Sequence, residues 1–579
     1  MKLLKKLSWF FKLEKWPYIT GILALSLVSL LNLLPPRVIG EVIDQIASKD
    51  LTNLELAYQL FILVLSALAM YALRFVWRKY ILGTANRLGR ILRYRLFEHF
   101  TRMSPSFYQT YRTGDLMAHA TNDINAVVGV AGGGVMSAVD ASITALVTVL
   151  TMFFVLDWRL TLIAILPLPF MAWGTSLIGR KNHESFKAAQ EAFSDLNNKV
   201  QESVSGIKVT KSFGYQDAET VAFARINQDV FKKNILAAKY NALFDPMVLI
   251  FVGLSYLLTL IFGGLFISQG QLTVGELVTF ITYLDMLVWP LQAMGYLFNI
   301  SQRGAVSYER IESLLAQESN VTEVTSPIKN IKNGRLDYSI QKFAYDDRPT
   351  LRDIRFSIEQ GQTLGIVGVT GSGKTTLLRL LLREQDIQDG NICLAGHDIR
   401  DYSLSALRSL IGYVPQDQIL FATSIRDNIR FGNPSLSDEE VIAVTKLCGI
   451  YEDIMQMPDG FDTLVGERGV SLSGGQKQRL AMCRALILNP DILILDDSLS
   501  AVDAKTEHLI LDNLKRERSG KTTLITAHRL SAVVHADLIL VLDQGRIIES
   551  GSHQELLTQD GWYANTYQNQ QLAESLEEV

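Results

Sequence analysis

The chain has 579 residues, of which 48% are hydrophobic, and a mean hydropathy of +0.17, which favours a membrane part joined to a soluble part. Its 55 basic and 59 acidic side chains leave a net charge of −4, so the chain has no overall positive charge that would favour a nucleic-acid partner. The three cysteines, Cys393, Cys448 and Cys483, form no CxxC or Cys/His cluster, which argues against a disulfide framework or a zinc site.

The N-terminal half is predicted to be a membrane domain of six spans over 17–305, preceded by a basic, amphipathic lead over 1–16. Each span is an apolar stretch of roughly bilayer-spanning length. The first stretch is too long for a signal peptide and more spans follow it, so we expect it to remain uncleaved. The spans lie near 17–40, 56–78, 130–156, 160–180, 245–267 and 275–300.

The positions of Lys and Arg predict the orientation of these spans. Basic residues crowd the lead and the segment after the second span, whereas "ISQGQLT" between the fifth and sixth spans has none. By the positive-inside rule the N-terminus, the two long loops and the C-terminal half are cytosolic, in a multi-pass protein of the cell membrane. The basic residues are Lys2, Lys5, Lys6, Lys12 and Lys15 in the lead and Arg87, Arg90, Arg93, Arg95 and Arg102 after the second span.

Two long cytosolic loops, at about 80–128 and 181–242, keep a helical spacing of apolar residues well beyond the bilayer. Each then breaks at an aromatic and polar element, "SPSFYQTYRTGD" in the first and "SFGYQDAE" in the second. Helices that overshoot the membrane can carry motion to a domain below it. The alternative is a pair of plain solvated hairpins.

A polar segment with Pro and Gly, predicted as a linker over 306–334, separates this half from a C-terminal domain over 335–579. In that domain short apolar strands alternate with helical segments. This pattern is typical of an α/β domain with a mainly parallel sheet.

The first functional motif of the C-terminal domain is a phosphate-binding loop. "TLGIVGVTGSGKTTLLRLLL" reads as strand, glycine-rich turn and helix, and Gly368–Thr375 matches GxxxxGK[ST]. Backbone N–H groups and the helix N-terminus favour phosphate, Lys374 reaches the β and γ phosphates, and Thr375 can bind Mg²⁺. The predicted nucleotide-binding residues of this loop are Gly368, Val369, Thr370, Gly371, Ser372, Gly373, Lys374, Thr375 and Thr376.

Three further residues are candidates for the same site. The strand "DILILDD" ends at Asp496, which is predicted to bind Mg²⁺ through water. Tyr345 can stack on an adenine ring, although a lone aromatic is as often part of a core. His528 follows the strand of "TTLITAHRL" and can contact the γ-phosphate, whereas a lone histidine is normally structural.

A second anion-binding helix start lies in "GVSLSGGQKQRLAMCRAL", where Ser473, Gly474, Gly475 and Gln476 open a helix. A single nucleotide site does not need two anion-binding helix N-termini. We therefore expect the second to bind the γ-phosphate of a nucleotide held by another copy of the domain.

The order of these motifs resembles the nucleotide-binding domain of an ATP-binding cassette (ABC) transporter, and the six spans resemble an ABC exporter half-transporter. The resemblance implies an all-α, six-helix polytopic membrane domain followed by an α/β P-loop domain with a helical subdomain, and ATP and Mg²⁺ as cofactors. It implies that Gln416 in "YVPQD" contacts Mg²⁺ and that Asp503 in "SAVD" crosses to the partner's site. It also implies that Thr463–Gly469 contacts the two cytosolic breaks, around Phe107 and Tyr108 and around Phe213–Asp217.

One position departs from the family pattern, because efficient members have glutamate where this chain has Asp497. A general base must approach its water to about 2.6–3.2 Å. One methylene fewer withdraws the carboxylate by roughly 1 Å, which can cost on the order of a hundredfold in rate. We expect the site to bind ATP but hydrolyse it slowly. The asymmetry resembles one subunit of the heterodimeric bacterial multidrug exporters, whose sister chain carries the glutamate.

Few ionisable groups lie within the spans, and such groups are costly unless they face a cavity or a partner. Asp140 and Asp285, with Trp289 nearby, suit a cavity for lipophilic cations. The alternative is that either aspartate pairs with an arginine between helices. For the whole chain, the alternatives are a homodimeric lipid or peptide exporter, or flippase, and a regulatory ATP-binding subunit that gates a partner.

Overall fold

The computed structural model describes residues 2–345, 348–466 and 472–577. The chain divides into two compact units, which are treated separately. One comprises Met1–Thr101 with Thr113–Gln317, and the other comprises Arg102–Arg112 with Glu318–Val579.

The N-terminal half is helical throughout. Short π-helical segments at Arg78–Leu82, His119–Asp123, Val130–Gly134 and Met152–Leu156 interrupt its longer helices. The α-helices are α1 (Lys2–Lys6), α2 (Ser8–Leu13), α3 (Lys15–Leu31), α4 (Leu34–Ser48), α5 (Asn53–Trp77), α6 (Gly83–Arg102), α7 (Pro105–Thr110), α8 (Thr113–Ala118), α9 (Ile124–Gly129), α10 (Val135–Thr151), α11 (Trp158–Ile165), α12 (Pro167–Ser205), α13 (Ile207–Ser212), α14 (Gln216–Ala242), α15 (Phe244–Ser268), α16 (Val274–Met286) and α17 (Val288–Leu315).

In the part of the chain that the structure describes, six helical segments are long and apolar enough to cross a membrane, which confirms the predicted number of spans. In α5 a run of large apolar side chains is exposed, including Phe61 at 61% and Leu68 at 62%. A water-soluble protein would bury such a face, so the bilayer is its natural solvent. The segments are Lys15–Ser48, Asn53–Arg102, Thr113–Leu156, Trp158–Ser205, Gln216–Ser268 and Val274–Leu315.

Helices α4 and α16 make a very close backbone approach in this unit. A Cβ on Gly275 would lie 1.9 Å from the Gly40 carbonyl oxygen, so neither helix has room for a side chain there. Asp44 of α4 accepts hydrogen bonds from the Thr273 hydroxyl at 2.6 Å and from the Gly275 N–H at 2.7 Å. This carboxylate therefore satisfies free donors at the first turn of α16.

The predicted overshooting helices are present. Helices α12 and α14 are braced by an ion pair of 2.8 Å between Lys199 and Glu219, whose carboxylate also accepts from Ser203. The second predicted break lies between α13 and α14, where Phe213 and Tyr215 are exposed. The first break contains α7, which belongs to the C-terminal unit.

Part of the predicted linker over 306–334 is helical, because α17 continues to Leu315. The side chains of Tyr308, Ile311 and Leu314 are buried at a helical spacing of three residues. Polar and charged residues lie between these three, so composition alone does not indicate the short apolar face of the helix. Residues 316–335 then lack helix and strand, apart from one isolated bridge at Ile328.

The C-terminal unit has the expected alternation of strands and helices. Four helices between β6 and β7, α20 to α23, form the helical subdomain. The elements are β1 (Leu336–Tyr345), β2 (Arg348–Ile358), β3 (Thr363–Gly368), α18 (Lys374–Leu381), β4 (Asp389–Leu394), β5 (His397–Asp398), α19 (Leu404–Ser409), β6 (Ile411–Val414), α20 (Ile425–Ile429), α21 (Asp438–Leu447), α22 (Tyr451–Met455), α23 (Gly474–Leu486), β7 (Ile492–Asp496), α24 (Ala504–Glu517), β8 (Thr522–Thr526), β9 (Leu538–Asp543), β10 (Arg546–Gly551), α25 (His553–Thr558) and α26 (Trp562–Glu577).

Two sheets organise this unit. The larger has the order β10-β9-β3-β8-β7-β6, in which only β10 is antiparallel, and the smaller is antiparallel with the order β2-β1-β4-β5. Strands β3 and β7 are mainly apolar, and β8, with three threonines, is buried along its whole length, as expected for a parallel sheet buried on both faces. Because β3, β7 and β8 are neighbours and parallel, the motifs that follow them meet at one sheet edge.

Candidate functional site

The turn after β3 has the geometry of a phosphate-binding loop. Gly368, Gly371 and Gly373 have φ values of 143°, 83° and 105°, a region that side chains rarely enter. A Cβ on Gly368 would also lie 2.0 Å from the Leu542 carbonyl oxygen. Glycine is therefore required here, and the loop leads directly into α18.

Lys374, the first residue of α18, folds back over the loop. Its ammonium donates to the carbonyl oxygens of Gly368 at 2.8 Å and Val369 at 3.1 Å, and only 8% of the residue is exposed. Burial lowers the pKa of Lys374, while Asp497 and Asp496 act in the opposite direction. A phosphate would give this partly desolvated cation a stronger, charged partner.

The loop also holds an unsatisfied donor. The Ser372 hydroxyl is buried, and it has no hydrogen-bond partner among the residues that the structure describes. A buried hydroxyl without a partner is costly unless a ligand completes it. Together with Lys374 and the α18 N-terminus, it fits an anionic phosphate group.

Asp496 ends β7 and is fully buried. One carboxylate oxygen accepts from the Thr375 hydroxyl at 3.0 Å and the Thr526 hydroxyl at 2.8 Å, and the other accepts from the Tyr413 hydroxyl at 3.3 Å. Burial, with Asp496 as a second cause, raises the pKa of Tyr413, which keeps its hydroxyl a donor. A carboxylate beside a threonine hydroxyl is a pair of hard oxygen ligands, which suits Mg²⁺.

Asp497 follows in a left-handed backbone conformation, with φ 47°. Its N–H donates to the Thr526 carbonyl oxygen at 3.1 Å and to the Thr526 hydroxyl at 3.0 Å. Aspartate enters this region more readily than longer side chains, because its short carboxylate can bond locally. Asp497 and His528 line the same cleft, so the structure brings these two predicted residues together.

Two predicted residues are not gathered around Asp496. The Gln416 side chain is exposed and forms no hydrogen bond to Asp496 within the described part of the chain, although its carbonyl oxygen accepts from Gln418 at 2.7 Å. Tyr345 lies at the end of β1 and packs edge-on against Phe343, with ring centroids 5.1 Å apart. Their predicted contacts with Mg²⁺ and the adenine ring therefore stay predictions.

The second helix start is formed as predicted. Ser473 and Gln476 make a capping box at α23, in which the Ser473 hydroxyl accepts from the Gln476 N–H at 3.3 Å. Gln476 also donates to Asp453 at 3.1 Å. A Cβ on Gly475 would lie 2.8 Å from the Ala501 carbonyl oxygen, so this glycine allows the turn after β7 to approach.

Gln478, which sequence reasoning missed, joins α23, the helix that Ser473, Gly474, Gly475 and Gln476 open and whose start is called the signature, to that turn. Its amide accepts from the Ala501 N–H at 3.0 Å and donates to the Ser500 hydroxyl at 3.2 Å. Asp503 caps α24 by accepting from the Thr506 N–H at 3.0 Å, and this bond lowers the pKa of Asp503. Of the predicted contact segment Thr463–Gly469, residues 467–469 lie outside the described residues, and its functional contact stays a prediction.

The predicted cavity aspartates lie in the N-terminal unit. Asp140 of α10 accepts from the Ser29 hydroxyl at 3.5 Å, and Asp285 of α16 accepts from the Tyr256 hydroxyl at 3.1 Å. Neither forms an ion pair with an arginine among residues 2–317 as described, and both the cavity role and the structural role of these aspartates stay predictions. Trp289 is 52% exposed.

Comparisons with known proteins give matches for both halves of the chain. The family model for the ABC transporter transmembrane region matches residues 18–291, and the ABC transporter model matches residues 351–500. The probable multidrug resistance ABC transporter ATP-binding/permease protein YheI of Bacillus subtilis is 44% identical over 98% of both chains. The multidrug resistance-like ATP-binding protein MdlA of Escherichia coli is 40% identical over 100% of this chain and 98% of its own. The ATP-bound structure of a bacterial Atm1-family ABC exporter covers 96% of this chain and 99% of its own, with a TM-score of 0.81 and 28% identity.

Proposed function

Because this chain belongs to the ABC transporter family and carries one transmembrane region and one ATP-binding domain, we propose that it is one half of a heterodimeric multidrug exporter. ATP drives export in such a protein. The observation that carries the finer proposal is Asp497, an aspartate in the cleft beside His528 where a base is needed. A base one methylene short leaves this site able to bind ATP and slow to hydrolyse it.

Each part of the proposed site has a separate role. Lys374, Ser372 and the loop N–H groups bind the phosphates, and Tyr345 stacks on the adenine ring. Thr375 and Asp496 would hold Mg²⁺, and Gln416 would be a further ligand. When bound, Mg²⁺ supplies positive charge beside the β and γ phosphates. Asp497 orients the water, and His528 contacts the γ-phosphate.

The signature residues serve a different nucleotide. Ser473, Gly474, Gly475 and Gln476, together with Asp503, act on ATP held by the sister chain. Their capping box and close packing support an intact motif. The composite site with this signature and the sister's glutamate therefore carries most hydrolysis. ATP closes the two domains, and the long cytosolic helices of the membrane domain convey the closure in an alternating-access cycle.

Two substitutions in the assembled complex test the unequal sites. Replacing the sister chain's catalytic glutamate with Gln should abolish most ATPase activity, because that residue activates the productive water. Asp497→Asn should change turnover less than about twofold, since little flux passes through this chain's site. The measurement is phosphate release by the purified complex. Equal losses from both substitutions would mean two equivalent sites and favour a homodimer-like exporter.

For the substrate, we propose lipophilic cations, attracted by Asp140 and Asp285 with Trp289 beside them. The hydroxyl contacts of both aspartates and the exposure of Trp289 support a polar, aromatic surface. Intramembrane carboxylates that lack a basic partner are free to meet a cationic ligand.

Replacing both Asp140 and Asp285 with Asn should weaken export of a fluorescent lipophilic cation at least about tenfold, because a single charge-assisted contact is worth about 1.5–3 kcal/mol and a tenfold change is roughly 1.4 kcal/mol. Uptake into inverted vesicles, measured for the cation and for an uncharged compound of similar size, gives the result. The uncharged compound and an Asp245→Asn variant serve as controls. Unchanged cation export would remove the cavity proposal and leave the exporter assignment standing.

A further inference from the structure

The C-terminal helix α26 reaches the loop that carries His528. The Gln570 side chain donates from Nε2 to the His528 carbonyl oxygen at 2.9 Å and accepts at Oε1 from the Leu530 N–H at 2.8 Å. One amide therefore bonds to the backbone on both sides of Arg529. Such a two-point contact fixes the peptide planes on either side of it.

These backbone groups need an external partner. Strand β8 ends at Thr526, so the His528 carbonyl and the Leu530 N–H lie beyond its ladder. Leu530 also begins a 3₁₀ turn, Leu530–Val533, whose first N–H groups have no partner within the turn. Among the described residues, Gln570 provides the hydrogen bonds of both groups.

A second support holds the other end of the loop. Glu507 of α24 is 2% exposed and accepts from the Ser531 hydroxyl at 2.8 Å, and Arg529 lies 3.8 Å from the same carboxylate. Helix α24 begins just after its cap residue Asp503. Glu507 therefore links the loop to the helix that Asp503 caps, while Gln570 fixes the segment adjacent to the exposed His528 side chain.

Helix α26 is itself well anchored. Its first N–H groups, from Trp562 and Tyr563, donate to Glu549 of β10 at 2.5 and 3.1 Å. The Tyr563 ring is buried, and its hydroxyl lies 2.8 Å from His553 Nδ1. The Gln570 amide thus projects from a helix that is tied to the sheet.

We propose that Gln570 is a positioning residue for His528, acting through the loop backbone and without contact with ATP. The proposal rests on the proposed function in one respect, the contact of His528 with the γ-phosphate. It makes α26 a functional part of the nucleotide site, although this helix follows every nucleotide motif in the chain.

The test compares Gln570→Met, which keeps the size and removes both hydrogen bonds, with Gln571→Met. Gln571 is the matched control, because among the described residues its amide donates to the Tyr567 hydroxyl at 2.9 Å and forms no hydrogen bond to the loop of His528. Both variants are made in the full chain, in the unmodified background and in the Asp497→Glu background. We expect Gln570→Met to lower kcat about tenfold and to leave the KM for ATP unchanged. The expected loss is smaller than the roughly hundredfold loss that a 1 Å misplacement can cause, because the rest of the loop stays anchored. Gln571→Met should leave both constants unchanged.

Hydrogen exchange provides a readout that does not depend on activity. Deuterium uptake over residues 528–533 should rise in Gln570→Met and not in Gln571→Met. Gln570→Glu keeps the acceptor for Leu530 but faces the His528 carbonyl without a donor, so kcat should fall there too. Equal kcat in the two methionine variants, or unchanged exchange, would overturn the proposal. Fast turnover of the unmodified chain would contradict the proposal that this site is slow. It would leave the Gln570 proposal standing, because the ratio of kcat between Gln570→Met and Gln571→Met can be measured in either background.

Discussion

Asp497→Glu is expected to raise ATP turnover by this chain's own site about a hundredfold, the inverse of the cost of a base displaced by roughly 1 Å. Asp497 lines the cleft with His528, and its backbone is fixed by two bonds to Thr526. Because the backbone is held, an added methylene advances the carboxylate toward the cleft. Phosphate release by the purified chain, with and without the substitution, measures the effect.

The backbone conformation at this position limits the gain. With φ at 47°, Asp497 is in the left-handed region, which costs glutamate more than aspartate. We expect a small loss of thermal stability to accompany the gain in turnover. Asp512→Glu, on the exposed face of α24, is the matched control and should alter neither. ATP affinity should stay the same, because the P-loop is untouched. Turnover that does not rise would show that the aspartate is not what limits this site.

Much of the architecture could be predicted from the sequence, because its signals are local. Apolar length identified six spans, and strand, glycine turn and helix identified the loop at Gly368–Thr375. The parallel order of β3, β7 and β8 then places Asp496, Asp497 and His528 at one edge. These features depend on residues close together in the chain, or on the rule that parallel strands share an edge.

Contacts between distant segments could not be read in this way. The Tyr413 and Thr526 hydroxyls on Asp496 come from neighbouring strands, and strand order is needed to place them. Gln570 lies 42 residues after His528 on a mainly polar helix with no motif of its own. The position of Thr526 directly before "AHR", at the end of its strand, was the available signal for one of these residues, since paired residues at neighbouring strand ends share a face of the sheet.

The boundary at 306–334 shows a different limit. Composition marked the whole stretch as polar, but burial of every third residue keeps 306–315 helical. Similarly, the charge of Asp140 and Asp285 suggested an ionic partner, whereas Ser29 and Tyr256 supply hydroxyls. In both places the neighbours in three dimensions supply contacts that the sequence does not indicate.

Lys374→Met is expected to weaken ATP binding by this chain more than about a hundredfold. Lys374 now donates to two neutral carbonyl oxygens, of Gly368 and Val369, at 2.8 and 3.1 Å. ATP would replace these neutral acceptors with ionised phosphate oxygens, which attract the ammonium more strongly, and a hundredfold loss of affinity corresponds to about 2.8 kcal/mol, twice the roughly 1.4 kcal/mol of a tenfold change. Methionine fills similar space but offers no donor. Equilibrium binding of a fluorescent ATP analogue gives the affinity.

Lys515→Met is the matched control, because Lys515 is exposed in the last turn of α24 and its replacement removes the same charge. It should leave affinity unchanged. The Lys374→Met chain should also lose the thermal stabilisation that ATP gives the parent, since a ligand stabilises only the folded protein that binds it. Retained affinity in Lys374→Met would mean that the loop N–H groups, the Ser372 hydroxyl and the α18 N-terminus suffice for the phosphates. The ammonium would then act after binding, where the γ-phosphate leaves, and its loss would appear in kcat instead.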